Sequence, residues 1–451
     1  MVGESVEIAV VGGGIAGLAA ACELERAGRE VVLLEAASQP GGVIQSERAR
    51  GFLFERGPNT LHVKPALRVF LESRASLSLL QSAAPAARRR WLYHNGKLEA
   101  VPMGPWAFAR TPLLSLGGKL RLLAEPCVRR GDGREESADA FARRRFGCEV
   151  AENLVGPFLT GIYAGDERRL GAQSVFGSLV EFERERGSVL RGWLARRRAV
   201  VQRELPGIYS SAEGLSGLSR ALAAELKALC CDARAVALRA CEGGFELDLR
   251  GREREWSLRC RSLVLALPAY AVGPLLRELD AEAAEELLAL DYAPIVSISL
   301  AVSADQMPTA LRGFGFLVPR QARIRLLGTL FMSQLFPERA PVGRELLTCM
   351  LGGLRWPAAV TVSDTELRQQ LFSDLERVLG LRGEPELLAL IRWPRAVPQP
   401  GPQHPQRVAD VRARLAEFPG LLLAGASFDG VSIADALASG VAAAEAILAR
   451  S

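Results

Sequence analysis

Val6-Glu7-Ile8-Ala9-Val10-Val11-Gly12-Gly13-Gly14-Ile15-Ala16-Gly17-Leu18-Ala19-Ala20-Ala21-Cys22-Glu23-Leu24 opens the chain, and Val31-Val32-Leu33-Leu34-Glu35 follows a glycine at position 28. Val6 to Val11 is short, β-branched and apolar, the pattern of a parallel strand buried on both faces. Gly12, Gly14 and Gly17 form G-x-G-x-x-G, and Leu18 to Leu24 continues at helical period until Gly28 ends the helix. Val31 to Leu34 is the second strand, with Glu35 at its carboxyl end. Each part of this βαβ unit has a chemical reason. Gly12 permits the tight turn, Gly14 lets the backbone approach a pyrophosphate, and Gly17 lets helix and strand pack closely. The first helical turn, with Ile15 and Ala16, offers N–H donors and a positive dipole end to phosphates. Glu35 falls where the ribose-binding acid belongs.

Working outward, the 451 residues are 49% hydrophobic and 24% charged, which excludes a disordered or collagen-like chain. The length gives a prior of about three domains. A net charge of +5 does not imply nucleic acid, and no nucleic-acid motif accompanies it. Lys64, Lys97, Lys119 and Lys227 are the four lysines among 56 basic residues, so no lysine base follows position 227. Eight cysteines without a CxxC and only three histidines argue against a metal centre and against a disulfide scaffold. Neither a signal peptide nor a spanning helix is expected.

Ser38-Gln39-Pro40-Gly41-Gly42-Val43-Ile44 places a second glycine pair just beyond Glu35. This resembles the extended signature of FAD-dependent amine-oxidase-like flavoproteins. No second G-x-G-x-x-G supports a separate NAD(P)H domain. A helix is expected within Leu218–Leu229, inside the span Arg203–Cys231, then β-runs at Ala233–Ala240, Phe245–Leu249 and Arg261–Pro268. Leu421–Gly425 reads as a strand, Ala426–Val431 as a loop and Ser432–Leu448 as a helix. Further β-runs fall at Val296–Val302 and Leu346–Leu351, with a helix at Asp364–Leu379. Pro394–Pro405 reads as an extended loop.

Residues 88–203 carry 22 Lys+Arg against 13 Asp+Glu. Trp106, Phe108, Leu113, Leu114, Leu116, Leu120, Leu122 and Leu123 are interleaved there with Arg110, Lys119 and Arg121. The stretch reads either as a surface seated on anionic membrane or as a helical subdomain with a solvated basic face.

More specific segments are Gly51-Phe52-Leu53-Phe54-Glu55-Arg56-Gly57-Pro58-Asn59-Thr60, Gly161-Ile162-Tyr163-Ala164-Gly165-Asp166, Gly313-Phe314-Gly315-Phe316-Leu317-Val318-Pro319, Leu327-Gly328-Thr329-Leu330 with Leu335-Phe336-Pro337, and Leu423-Ala424-Gly425 with Gly430-Val431-Ser432-Ile433. Together they resemble the protoporphyrinogen oxidases, FAD enzymes of haem biosynthesis, along nearly the whole chain. One departure is Ser432 with Ala434, where that family commonly has G-V-G-I-P; Ser432 is expected to alter the approach to the flavin.

The resemblance implies a fold of α/β plus α+β character. A discontinuous Rossmann-like FAD-binding domain (1–89, 203–268 and 396–451) is expected with a substrate-binding mixed-sheet domain (90–98 and 269–395) and an inserted, mostly helical domain (99–202). It implies FAD contacts at Gly12, Gly14, Ile15, Ala16, Gly17, Glu35, Ala36, Gly41, Gly42, Val43, Gly57, Pro58, Asn59, Val236, Ala266, Gly425, Val431, Ser432 and Ile433. It also implies an apolar slot of Phe158, Gly161, Phe314, Gly315, Leu317 and Met350 for a flat macrocycle. Each of these alone reads as core; the set carries the expectation. Arg90, opening the run Trp91-Leu92-Tyr93, is expected to grip a propionate. Asn59 reads equally as a substrate neighbour or a turn residue.

The implied activity is oxidation of protoporphyrinogen IX to protoporphyrin IX. Six electrons would leave in three steps, with dioxygen reduced to hydrogen peroxide and no assigned base. Coproporphyrinogen III on the same fold is the alternative. An amine or carotenoid-precursor oxidase is disfavoured by the missing lysine, and a non-catalytic flavin or porphyrin carrier by the intact FAD frame with Arg90. The expected setting is cytoplasmic, peripheral on the inner face of the cell membrane, with a homodimer and product hand-off to ferrochelatase.

Overall fold

A computed structural model describes residues 5–74, 76–199, 207–308 and 311–450. Among these, the opening strand Ser5–Val11 lies between Val31–Leu34 and Glu255–Leu265, parallel to both. Leu229–Cys230 extends the sheet on one side. Leu421–Leu423 runs parallel to the end of Glu255–Leu265, whose first half pairs antiparallel with Gly244–Arg250, which pairs in turn with the outermost strand Arg234–Cys241. Both faces are covered, as a parallel core requires. Helices Ile15–Arg26, Ser216–Glu225 and Ile433–Leu448 bury Ile8, Val10, Leu33 and Val264 on one side. Helices Ala269–Leu276, Ala281–Leu288 and His404–Leu415 bury Ala9, Val11, Leu34 and Leu265 on the other.

A second seven-stranded sheet is assembled from distant segments. Its order is Glu386–Pro398, Tyr292–Ser303, Arg344–Gly352, Leu326–Phe331, Gly315–Leu317, Trp91–His94 and Lys97–Ala100. All neighbours are antiparallel except Gly315–Leu317 and Trp91–His94, which run parallel. Helix Asp364–Leu379 packs on one face. Part of the opposite face meets Phe52 and Phe54 of the hairpin Ser46–Ala49/Phe52–Glu55. Between the sheets in sequence lies a helical segment that includes Pro105–Arg110, Leu116–Leu123, Ala138–Phe146, Gly156–Tyr163, Ala172–Arg186 and Val189–Ala199. It is tied together by buried Glu125. This carboxylate pairs with buried Arg145 and accepts hydrogen bonds from Ser188 Oγ (2.6 Å), Val189 N (2.9 Å) and Leu190 N (3.2 Å). It thereby satisfies orphan amides of helix Val189–Ala199.

Three sequence expectations are corrected. The helix within Leu218–Leu229 is Ser216–Glu225, and Leu229 belongs to a strand. The run expected from Arg261 starts at Glu255, because its first half pairs with the neighbouring hairpin strand. Pro394–Pro405 is not one extended loop: Pro394 and Pro398 lie in strand Glu386–Pro398 and helix His404–Leu415 follows. The strand tolerates these prolines because it is the sheet's outermost, with a bulge opposite Ala293–Ile295. Arg203 and the expected 202/203 boundary lie outside the described residues.

Candidate active site

The dinucleotide cradle is built by glycines used in three ways. Gly12 has φ +108, and a Cβ there would lie 2.4 Å from Ala266 O; one on Gly17 would lie 1.9 Å from Gly12 O. These two let helix and strands touch. Gly14 differs: a Cβ there would meet nothing within 4 Å. Gly14 is also the N-cap of helix Ile15–Arg26 and makes no side-chain cap bond. Among the described residues the first-turn amides at Ile15, Ala16 and Gly17 have no acceptor, and the space beside Gly14 is open. That space and those donors fit a pyrophosphate.

Glu35 sits beside this turn. Its Oε2 accepts from Gly13 N and its Oε1 from Ala37 N, each at 2.7 Å, while exposed Ala36 lies between. Each oxygen keeps a second lone pair for ribose hydroxyls. The second glycine loop folds onto the first. Gly41 N donates to Gly13 O (2.7 Å), and a Cβ on Gly42 would lie 3.2 Å from Gly14 Cα. Val43 O meets Gly57, where a Cβ would be 2.0 Å away, so the 57–59 turn abuts the same loop. Asn59 is buried; its Nδ2 donates to Gly57 O (3.2 Å), and its Oδ1 has no hydrogen-bond partner. From the far end of the chain, Gly425 N donates to Ser439 Oγ, and a Cβ on Gly425 would lie 4.0 Å from Ala16 Cβ.

Ser432 has an ordinary φ of −77° and is the N-cap of helix Ile433–Leu448, accepting from Asp435 N. It needs no glycine conformation, and its hydroxyl donates to Asp435 Oδ2 (2.5 Å). The departure from the family pattern thus supplies a helix cap. Asp435 also pairs with Lys64 (2.5 Å). Val431 packs against the cluster of Ala138, Leu159, Tyr163 and Leu170, joining this helix start to helix Gly156–Tyr163. Burial, helped by Asp435, pushes the Tyr163 hydroxyl up to about 12, so it stays protonated. Val236 is exposed at the bulge of strand Arg234–Cys241. At the head of that strand, Asp232 N and Ala233 N donate to Ala37 O and Glu35 O.

The apolar residues converge on Leu317. A Cβ on Gly161 would lie 2.8 Å from its Cδ2, and one on Gly328 would lie 2.9 Å away. Gly328 in turn stands opposite Met350 in the sheet. Gly315, at φ +138, lets its strand close on Thr329 O, where a Cβ would be 2.1 Å away. Phe158 lies one turn before Gly161 on helix Gly156–Tyr163 and is half exposed.

Arg90 enters from the strand edge. Arg89 O accepts from Phe314 N (2.7 Å), and the Arg90 guanidinium carbon stands 5.2 Å from the Phe314 ring centre. Among the described residues no carboxylate lies within ion-pair distance of Arg90. Burial holds its pKa below the ordinary arginine value, which still leaves it charged at neutral pH. Arg88 and Arg89 are exposed.

Sequence reasoning did not single out Gly328, which packs on Leu317, although its motif was quoted. It also missed Thr160 and Arg355, and the buried pair Glu55–Arg339.

The model of the family "Flavin containing amine oxidoreductase" matches residues 15–448. The chain is 32% identical to protoporphyrinogen oxidase 1, chloroplastic, of Arabidopsis thaliana, over 88% of this chain and 79% of that one. It is 28% identical to coproporphyrinogen III oxidase of Bacillus subtilis (strain 168), over 93% of each chain. Among solved structures, "Putative protoporphyrinogen oxidase from Exiguobacterium sp. 255-15" superposes with a TM-score of 0.83 at 25% identity, covering 100% of both chains.

Proposed function

The chain belongs to the flavin-containing amine oxidoreductase family, and from that premise we propose that it is an FAD-dependent oxidase of a porphyrinogen in haem biosynthesis, with protoporphyrinogen IX as substrate. The observation that carries the reading is Arg90: a half-buried cation with no acid partner among the described residues, stacked on Phe314 beside an apolar wall. A desolvated guanidinium without a counter-ion favours an anion brought in by the ligand.

FAD is the cofactor, and its cradle would be Gly12 to Gly17, Glu35, Gly41–Gly42 and the start of helix Ile433–Leu448. When bound, it supplies two-electron acceptor chemistry, three rounds of which remove six electrons as three dioxygen molecules become three hydrogen peroxide. The protein's part is positioning. Arg90 would hold a propionate, while Gly161, Leu317, Gly328 and Met350 would form an apolar wall against the macrocycle and exclude water. None of these wall residues is an acid or a base, so the protons leave without a wall side chain as acceptor.

The B. subtilis relative gives the alternative substrate, coproporphyrinogen III. Of Arg88, Arg89 and Arg90, only Arg90 is withdrawn from solvent, which favours the substrate with fewer carboxylates. Peripheral membrane contact is part of the same proposal. Leu116, Leu120 and Leu123 expose one stripe of helix Leu116–Leu123, next in sequence to Trp106, which is 80% exposed. Arg110, Lys119 and Arg121 supply cations there. Among the described residues no helix is long and apolar enough to cross a membrane. The homodimer and the hand-off to ferrochelatase rest on the resemblance alone.

An aerobic fluorescence assay of the FAD-loaded protein, with protoporphyrinogen IX and coproporphyrinogen III supplied separately, tests the reading. Preference for the first is the expected result. Preference for the second moves the enzyme to the tetracarboxylate, and no porphyrin above the autoxidation blank from either sinks the proposal.

A further inference from the structure

Strand Arg344–Gly352 ends in a sharp turn at Gly352 (φ +98) and Gly353 (φ +61). The turn is seated on the end of helix Gly156–Tyr163. Leu354 N donates to Ala164 O (2.8 Å), and a Cβ on Gly353 would stand 2.3 Å from that oxygen. Ala164 is left-handed (φ 49) and stops the helix. The next residue, Arg355, sends its guanidinium between helix and sheet. Its Nη1 donates to Val318 O (2.6 Å) and its Nη2 to Thr160 Oγ1 (2.9 Å), while Nε is buried with no partner.

Thr160 and Val318 each adjoin a slot residue. Thr160 precedes Gly161 and Val318 follows Leu317, and Gly161 and Leu317 pack directly against each other, with a Cβ on Gly161 only 2.8 Å from Leu317 Cδ2. The nearby acids, Asp166 and Glu167, lie 3.2 and 3.8 Å from Arg320 instead. Arg355 therefore has neutral acceptors only, in a place where burial opposes its charge and pulls its pKa down to about 10. A cation so placed is a poor device for stability alone. Its rigid planar fork, with two donors at fixed separation, is a good device for spacing.

We propose that Arg355 is a positioning residue that holds the apolar wall of the macrocycle site in place by clasping Thr160 of the helix to Val318 of the sheet. The inference rests on the porphyrinogen reading of that slot and touches neither Arg90 nor the FAD cradle.

The test uses Arg355→Lys, Arg355→Met and Thr160→Val in FAD-loaded protein. Lysine keeps the charge but loses the fork, and Thr160→Val removes one prong with little change of volume. Expected are a KM for the porphyrinogen raised about tenfold in Arg355→Met, several-fold in Thr160→Val, and kcat per bound flavin within about twofold of wild type. The flavin spectrum and FAD content should not change. Unchanged KM in folded, flavin-loaded variants overturns the proposal. So does a loss of activity that tracks only FAD content. If Arg355→Met does not fold, Arg355→Lys and Thr160→Val carry the same test. If the wild type neither oxidises a porphyrinogen nor binds protoporphyrin IX by fluorescence, the function fails separately. Amide hydrogen exchange then judges the clasp. Joint acceleration of about tenfold at residues 160–165 and 315–318 in Arg355→Lys supports it, and unaltered exchange overturns it.

Discussion

Arg339 Nη2 lies 2.8 Å from Glu55 Oε1, and both side chains are fully buried although 284 positions separate them. Glu55 ends the hairpin that leads into the 57–59 turn, and it also accepts from Ser46 Oγ (2.5 Å) and Leu215 N (3.0 Å). Arg339 comes from the turn Pro337–Arg339 beyond the second sheet and also donates to Ser210. The pair joins the cofactor side to the substrate side. Breaking a buried ion pair strands one charge and costs about 3–5 kcal/mol. Arg339→Met should lower unfolding stability by about that amount, and Glu55→Gln with Arg339→Met should recover part of it. Denaturant titration of the three proteins checks this; equal losses in single and double variants would count against it.

Arg90→Ala should raise the KM for the porphyrinogen by about 30-fold or more, the worth of a desolvated charge contact of about 2 kcal/mol or above. FAD content should not change, because Arg90 lies on the slot side. Arg90→Lys should fall between, since a point charge replaces a bidentate fork. Steady-state porphyrin fluorescence reads all three.

Gly14→Ala and Gly17→Ala separate cradle from packing. A methyl at position 17 would sit 1.9 Å from Gly12 O, so that variant should lose stability as well as flavin. A methyl at 14 meets no protein atom within 4 Å. Gly14→Ala should therefore fold with near wild-type stability in the flavin-free form, yet purify with much less absorbance near 450 nm. Wild-type flavin content in Gly14→Ala would remove the pyrophosphate from this position.

His404 gives the fold an acid limb. Burial, with repulsion from Arg407, pulls its pKa from 6.5 to about 4, and its Nδ1 is buried without a partner. The folded state therefore resists the proton that the unfolded chain accepts. Stability is full above about pH 6.5 and is lost as pH falls from there through about 4. The contribution is on the order of 2 kcal/mol after allowance for partial solvent access. His404→Gln should flatten stability between those pH values; an unchanged pH dependence would show that other groups set it.

Trp106→Glu with Leu120→Glu should abolish sedimentation with vesicles of anionic lipid while kcat per flavin stays within about twofold. Both side chains are exposed, so the substitutions disturb no packing. Unchanged sedimentation would assign the stripe to something other than membrane.

Much of the cofactor half was legible because its signals are local. Val6 to Glu35 places strand, glycine turn, helix and acid within a single βαβ unit, where period and spacing suffice. The slot residues needed a resemblance, because apolar residues and glycines look the same in any core. Arg339 and Arg355 were illegible for a different reason. Their side-chain partners Glu55 and Thr160 lie 284 and 195 positions away, beyond the reach of any local pattern. The double glycine at 352–353 was the available hint of a close approach. Pro394–Pro405 misled because proline speaks against a central strand but not against an outermost one.

The last helix rests on the first: a Cβ on Gly440 would lie 2.0 Å from Ala16 O, so helices Ile433–Leu448 and Ile15–Arg26 meet backbone to backbone. Chain order then matters during synthesis. The glycine turn leaves the ribosome before residues 315–317, Arg339 and Arg355, yet the helix that completes its seat emerges after all of them. A nascent chain cannot close around its flavin before the segments that surround it have been made.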